Sequence, residues 1–133
     1  MGTVLGSGID LVENARIADL IARWGARFKD RVFLPAEQAY CDSRAAPAEH
    51  YAGRFAVKEA VAKAFGTGFG PDVGWLNIEV VRDSDWGPPA VRLRGATQAL
   101  ARSRRVASIL VTLSHTRDYA VAHALLMEED RAI

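Results

Sequence analysis

Two carboxylates and one amine in the first half of the chain have types and neighbours suited to handling a phosphate. Asp10 stands in Gly8-Ile9-Asp10-Leu11-Val12-Glu13, and Glu59 and Lys63 lie four residues apart in Arg54-Phe55-Ala56-Val57-Lys58-Glu59-Ala60-Val61-Ala62-Lys63-Ala64-Phe65-Gly66. Magnesium is commonly held by one or two carboxylates, with substrate phosphates and water in its other positions, and Asp10 with Glu59 suffices for that. A glycine-rich run, Gly66-Thr67-Gly68-Phe69-Gly70-Pro71, follows directly. Glycines let successive backbone N–H groups approach a phosphate, although no Walker-type Gly-Lys-Ser follows. A third segment, Thr112-Leu113-Ser114-His115-Thr116-Arg117-Asp118-Tyr119-Ala120, puts His115 at a strand end. Adjacent strand residues point to opposite faces, so Ser114 and His115 are not a nucleophile pair; what remains is a polar corner able to hydrogen-bond a ligand.

Each segment also has a plain local explanation. Asp10 can cap the following helix with Glu13 as reciprocal partner, which is the stronger reading of that segment alone. Glu59 and Lys63 at i and i+4 suit a surface ion pair worth roughly a few tenths of a kcal/mol. The glycine run suits a helix C-cap followed by a turn, and a lone histidine at a strand end is more often structural than catalytic.

The elements that must position these groups follow from periodicity. Residues 4–11 predict a buried strand with Leu5, Ile9 and Leu11 on one face and Asp10 on the other, beside Gly6 and Gly8. A helix follows, marked by Ile17, Leu20, Ile21 and Trp24, and its polar side carries Arg16, Arg23 and Arg27 in one stripe. Residues 35–44 form a short helix opened by proline, and residues 45–48 a break at Pro47. A long helix over 48–65 buries Tyr51, Ala52, Phe55, Ala62 and Phe65 and stops at Gly66. Leu76, Ile78 and Val80 predict a strand, 83–89 a turn-rich connection, Val91 and Leu93 its partner strand, and 98–105 a basic helical piece. Ile109, Val111 and Leu113 predict another strand, 119–126 the last one, and 127–133 a frayed tail. Helices mixed with hairpin-connected strands give an α+β fold.

The 133 residues suit one domain over 1–133, half hydrophobic and a quarter charged. So small a domain buries a limited share of its surface, and self-association helps it. A net charge of +1 points to neither nucleic acid nor membrane. Cys41 is the only cysteine, which excludes an intrachain disulfide and fits a reducing cytoplasm. The first eleven residues lack the pattern of a signal peptide, and no eighteen apolar residues run together.

Taken in this order and spacing, the three segments resemble the holo-acyl-carrier-protein synthase family of 4′-phosphopantetheinyl transferases. The likeness rests on Gly8-Ile9-Asp10, on the central run from Arg54 through Gly68, and on Ser114-His115-Thr116 with Tyr119-Ala120, and it spans the chain from Gly6 to about Leu126. The central run is the specific part. The resemblance implies a single-domain transferase fold, an antiparallel sheet with a long central helix, assembled as a homotrimer with coenzyme A between subunits. It implies transfer of 4′-phosphopantetheine from coenzyme A to a serine of an acidic acyl carrier protein, in support of fatty acid biosynthesis. Asp10 and Glu59 would be the Mg2+ ligands, Lys63 would neutralise charge and protonate the departing group, and His115 would bind phosphate or assist proton movement. Arg54, Phe55, Gly66, Thr67, Gly68, Phe69, Pro89, Ser114, His115 and Thr116 would line the coenzyme A cleft, and Arg16, Arg23 and Arg27 would meet the carrier. The base would be Glu59 or a metal-bound water. The sequence departs from the family at Pro88, between Gly87 and Pro89, where a basic residue is usual. Three rival readings are a magnesium-dependent phosphohydrolase, a non-catalytic coenzyme A or carrier-binding module, and a nucleic-acid binder built on Arg92, Arg94, Arg102, Arg104 and Arg105.

Overall fold

Helix α4 (Pro47–Phe65) is buried on nearly every side from Tyr51 onward, Arg54 and Lys58 included, so the rest of the chain has to enclose it. The computed structural model, which describes residues 2–82 and 87–129, shows how. Three antiparallel strands, β1 (Val4–Glu13), β4 (Val106–His115) and β5 (Tyr119–Glu128), form a sheet in the order β1-β5-β4. One face of the sheet lies along α4, where Ala120, Ala122, Ala124 and Leu126 of β5 join Val57, Ala60, Val61 and Ala64 in the core. Helices α1 (Asn14–Trp24) and α3 (Pro35–Asp42) pack on other sides of α4, with α2 (Ala26–Val32) between them in sequence. A two-stranded hairpin of β2 (Ile78–Val81) and β3 (Ala90–Leu93), then α5 (Gly95–Ser103), complete the α+β fold around the long central helix.

The strand and helix that carry the chemistry touch backbone to backbone. A Cβ added at Gly8 would collide with the Ala60 carbonyl and the Ala64 amide, and one at Gly6 with the Ala64 carbonyl. Glycine on β1 and alanine on α4 thus let two main chains meet where larger side chains would hold them apart.

Several expectations change. β1 is buried on one face only: Ile9 and Leu11 are 61% and 64% exposed, and the core takes the face carrying Gly8 and Val12. Strand β1 runs on to Glu13, which precedes α1 without a side-chain cap, so Asp10 is a strand residue and no capping box forms. Gly25, at φ 52°, ends α1, so Arg27 belongs to α2 and the arginine stripe is broken after Arg23. Pro47 is the first residue of α4 rather than a break. Trp75–Asn77 is a short 3-10 turn that leaves Leu76 exposed, and the strand starts at Ile78. The helical piece expected over 98–105 is α5, which starts at Gly95 and stops at Ser103. Met127 and Glu128 belong to β5, whose end is tied by the Glu128 N–H to the Thr3 carbonyl, so the tail is not frayed there. Residues 83–86 of the expected connection and 130–133 of the tail lie outside the described residues.

Candidate active site

Asp10 projects from β1 toward the helix side of the sheet, and Lys63 reaches it from the last turn of α4. The Lys63 Nζ donates to Asp10 Oδ1 at 2.9 Å and to the Ile9 carbonyl at 3.1 Å. Lys63 therefore pairs with the strand, not with its helix neighbour Glu59. One turn earlier, Glu59 is half-buried, and its carboxyl is pushed above the ordinary carboxylate range, first by burial and then by the charge of Asp10, against Lys63 and Arg16. Arg16 comes from α1, with its guanidinium 6.0 Å from the centre of the Phe55 ring. Two carboxylates that repel each other, with an ammonium already seated on one, form a donor set that a hard cation relieves. Asp10 and Glu59 fit a magnesium ion on those grounds, with phosphate and water needed for the remaining positions.

The glycine run turns off the C-terminus of α4. Gly66 and Gly68 adopt φ of 79° and 67°, and Thr67 Oγ1 donates to the Gly68 carbonyl. Phe69 anchors the loop by stacking on Trp75, with ring centres 3.6 Å apart and planes 12° from parallel. Trp75 also stacks on Phe55, 5.0 Å away.

A second cluster forms on the other side of α4. His115, at the end of β4, packs where Gly53 leaves room, and its ring lies 6.3 Å from that of His50. Burial pulls the His115 pKa down, and the charges of Arg82 and Arg54 pull it further. Arg54 is buried over the Tyr40 ring, 4.1 Å from its centre, and its Nε has no hydrogen-bond partner among the described residues. Burial raises the Tyr40 pKa, but hydrogen bonds from Arg82 and Arg44 outweigh it and leave the phenol below its usual value. Such a set of cations invites an anion.

The two clusters are not one site within a single chain. Asp10 is in register with Ala122, which faces Leu113; Val12 is in register with Ala120, which faces His115. Asp10 and His115 thus lie on the two edge strands of the sheet, two strand spacings or about 10 Å apart across it and two residues apart along it. Ser114 points to the open face, away from His115. Thr116 closes the β4–β5 turn, its hydroxyl accepting from the Tyr119 N–H at 2.9 Å. Phe55 belongs to the core. Pro89 immediately precedes β3. Arg23 is exposed on α1, and Arg27 lies 5.9 Å from the Trp24 ring centre. Sequence reasoning missed Tyr40, His50 and Arg82 of the cationic cluster, which come from three separate segments with no local motif.

The family model described as the 4′-phosphopantetheinyl transferase superfamily matches residues 6–124, which defines the class of enzyme. The holo-[acyl-carrier-protein] synthase of Protochlamydia amoebophila is 44% identical over 121 residues, spanning 91% of this chain and 96% of that one. The crystal structure of the Neisseria meningitidis holo-[acyl-carrier-protein] synthase superposes with a TM-score of 0.86 at 29% identity, covering 96% of this chain and all of that one. The Helicobacter pylori enzyme, solved in complex with coenzyme A, superposes with a TM-score of 0.79 at 28% identity, over 90% and 98% of the two chains. The chain belongs to the holo-[acyl-carrier-protein] synthase family and is a phosphopantetheinyl transferase.

Proposed function

We propose that this chain moves 4′-phosphopantetheine from coenzyme A to a serine of an apo acyl carrier protein, releasing adenosine 3′,5′-bisphosphate, in the cytoplasm and in support of fatty acid biosynthesis. The observation that carries the reading is the Asp10–Lys63 pair beside the raised carboxyl of Glu59, one turn before the glycine loop.

The serine oxygen forms a bond to the phosphorus next to the pantetheine arm, and the bond from that phosphorus to the bridging pyrophosphate oxygen breaks. The serine proton goes to Glu59, the carboxylate one turn from Lys63 on α4. Lys63, half exposed and free to turn from Asp10 to a phosphate, neutralises the leaving group and supplies its proton. Magnesium bound by Asp10 and Glu59 would supply further charge neutralisation at the pyrophosphate. The loop from Gly66 to Phe69 offers backbone N–H groups to the same phosphates.

The assembly is a homotrimer in this reading. Its support is the open sheet face, where Ile9, Leu11, Leu110 and Tyr119 are exposed, together with the placement of His115 and Arg54 away from Asp10. A neighbouring subunit then brings the cationic cluster to coenzyme A. The mass in solution checks this, with Leu11→Arg expected to give an inactive monomer. The acidic carrier meets Arg16 and Arg23, with Arg27 beside them, so its apparent KM rises with salt.

The rival nucleic-acid surface is largely spoken for. Arg92 and Arg94 pair with Glu79, Arg104 donates to the Phe65 carbonyl at the end of α4, and Arg105 lies 3.7 Å from Glu128. Among the described residues no helix is long and apolar enough to cross a membrane.

The test is intact-protein mass spectrometry of an apo acyl carrier protein with this chain, coenzyme A and magnesium. The carrier gains one phosphopantetheine with the wild type and none with Glu59→Ala or with chelator. Release of phosphopantetheine from coenzyme A in the absence of carrier would overturn the reading in favour of a hydrolase.

A further inference from the structure

Lys58 is a lysine that the chemistry above does not use, and its side chain is 0% exposed. Its ammonium spends all three donors inside the protein: on Val32 O at 2.8 Å, Glu37 Oε1 at 2.8 Å and Trp75 O at 2.9 Å. Glu37 in turn accepts from the Leu34 N–H and, through its other oxygen, from the Val80 N–H, both at 2.8 Å. One ion pair therefore ties the end of α2, the start of α3, the 3-10 turn and β2 to the middle of α4. A buried pair of this kind gives little net stability over an apolar filling, so its value lies in where it puts things.

What it places is Trp75. Trp75, whose backbone carbonyl accepts from Lys58, stacks its indole on Phe55 of α4 and on Phe69 of the glycine loop. Gly66, Gly68 and Gly70 have nothing within 4 Å of where a side chain would begin, so no packing at those positions holds the loop. Past Gly66, whose N–H caps α4, the loop backbone is tied by the Gly70 N–H to Val73 O bond.

We propose that Lys58 is a positioning residue for coenzyme A: through Trp75 and Phe69 it holds the glycine loop in its phosphate-ready conformation. This rests on the transferase reading, in which the loop meets the pyrophosphate. The test is calorimetric titration of coenzyme A into the full-length assembled protein as wild type, Trp75→Phe, Trp75→Leu, Lys58→Met and the Lys58→Met/Trp75→Leu double variant. Trp75→Leu keeps the carbonyl that Lys58 binds and removes the ring, and should weaken coenzyme A about tenfold, the scale of losing stacked aromatic contacts. Trp75→Phe should bind like wild type. Lys58→Met should weaken binding similarly, and the double variant no further, because both changes cut one chain of contacts.

In steady state the loss should fall on the KM for coenzyme A and leave the KM for carrier unmoved. A merely structural role would instead lower the fraction of binding-competent protein at unchanged Kd. Wild-type affinity in Trp75→Leu, or a double variant whose losses multiply, overturns the inference. If Lys58→Met does not fold, the contrast between Trp75→Leu and Trp75→Phe decides. A wild-type chain that binds no coenzyme A overturns the transferase reading first, and so separates the two failures.

Discussion

Helix α4 carries two lysines that each pair with a carboxylate, and the two pairs could hardly be more different. Lys58 and Glu37 have side chains 0% and 1% exposed, with every donor of the ammonium engaged; Lys63 and Asp10 are 51% and 14% exposed, with the ammonium still able to turn outward. The first pair holds one geometry because leaving it would strand charge in an apolar interior. The second is exchangeable, because water or an incoming phosphate can replace the carboxylate at small cost. A buried pair fixes a frame, and an open pair of the same chemistry can do work on a substrate.

That contrast is open to direct attack. Lys58→Ala should lower the unfolding free energy by ~3–5 kcal/mol, since it leaves Glu37 charged and buried. Lys63→Ala should cost ~1 kcal/mol or less. Denaturant midpoints check both, and equal losses would erase the distinction.

Activity should rank the pairs the other way. Glu59→Gln and Lys63→Ala should each lower kcat by on the order of 10²–10³, the scale of removing one charge-stabilising group, while the fold persists by circular dichroism. Full turnover in Lys63→Ala would take the open pair out of the mechanism.

A smaller effect concerns pH. The Glu59 carboxyl is raised in the folded chain, first by burial and then by Asp10, so between its unfolded and folded pKa the native state holds more protons than the unfolded one. Stability therefore falls as pH rises through that window, and the penalty is complete above the folded pKa. Glu59→Gln should flatten this slope and be slightly more stable than wild type at pH 7, as read from denaturation at several pH values. An unchanged slope in the variant would show that Glu59 is better solvated than its surroundings indicate. The smallest effect is in salt: the modest loss in Lys63→Ala should shrink toward zero at 1 M salt, whereas the loss in Lys58→Ala should persist.

Much of this was legible in the sequence, and what was not has physical reasons. Glu59, Lys63 and the glycine loop were readable because they lie in one short run whose helical geometry brings them near one another, whereas Asp10, on β1, was joined to them only by the likeness to the family. Lys58 carried a signal as well: Tyr51, Phe55, Ala62 and Phe65 mark a buried stripe at alternating steps of four and three, and position 58 falls on it. A lysine on an apolar stripe announces a buried partner, but nothing local says that the partner is Glu37, twenty-one residues earlier. The open face of β1 was misread because alternation shows that a strand has two faces, not which one a helix will cover; the two glycines beside Asp10 admit α4. Likewise Gly25 sits within an apolar periodicity that runs past it, and its positive φ belongs to the tertiary turn between α1 and α2.

The contact of Gly6 and Gly8 with the α4 main chain has a consequence for heating. Asp10 and Glu59 stand on two backbones that meet directly, with no layer of side chains between them to loosen first. Their separation is then as rigid as the peptide planes that set it, so thermal inactivation should coincide with global melting instead of preceding it.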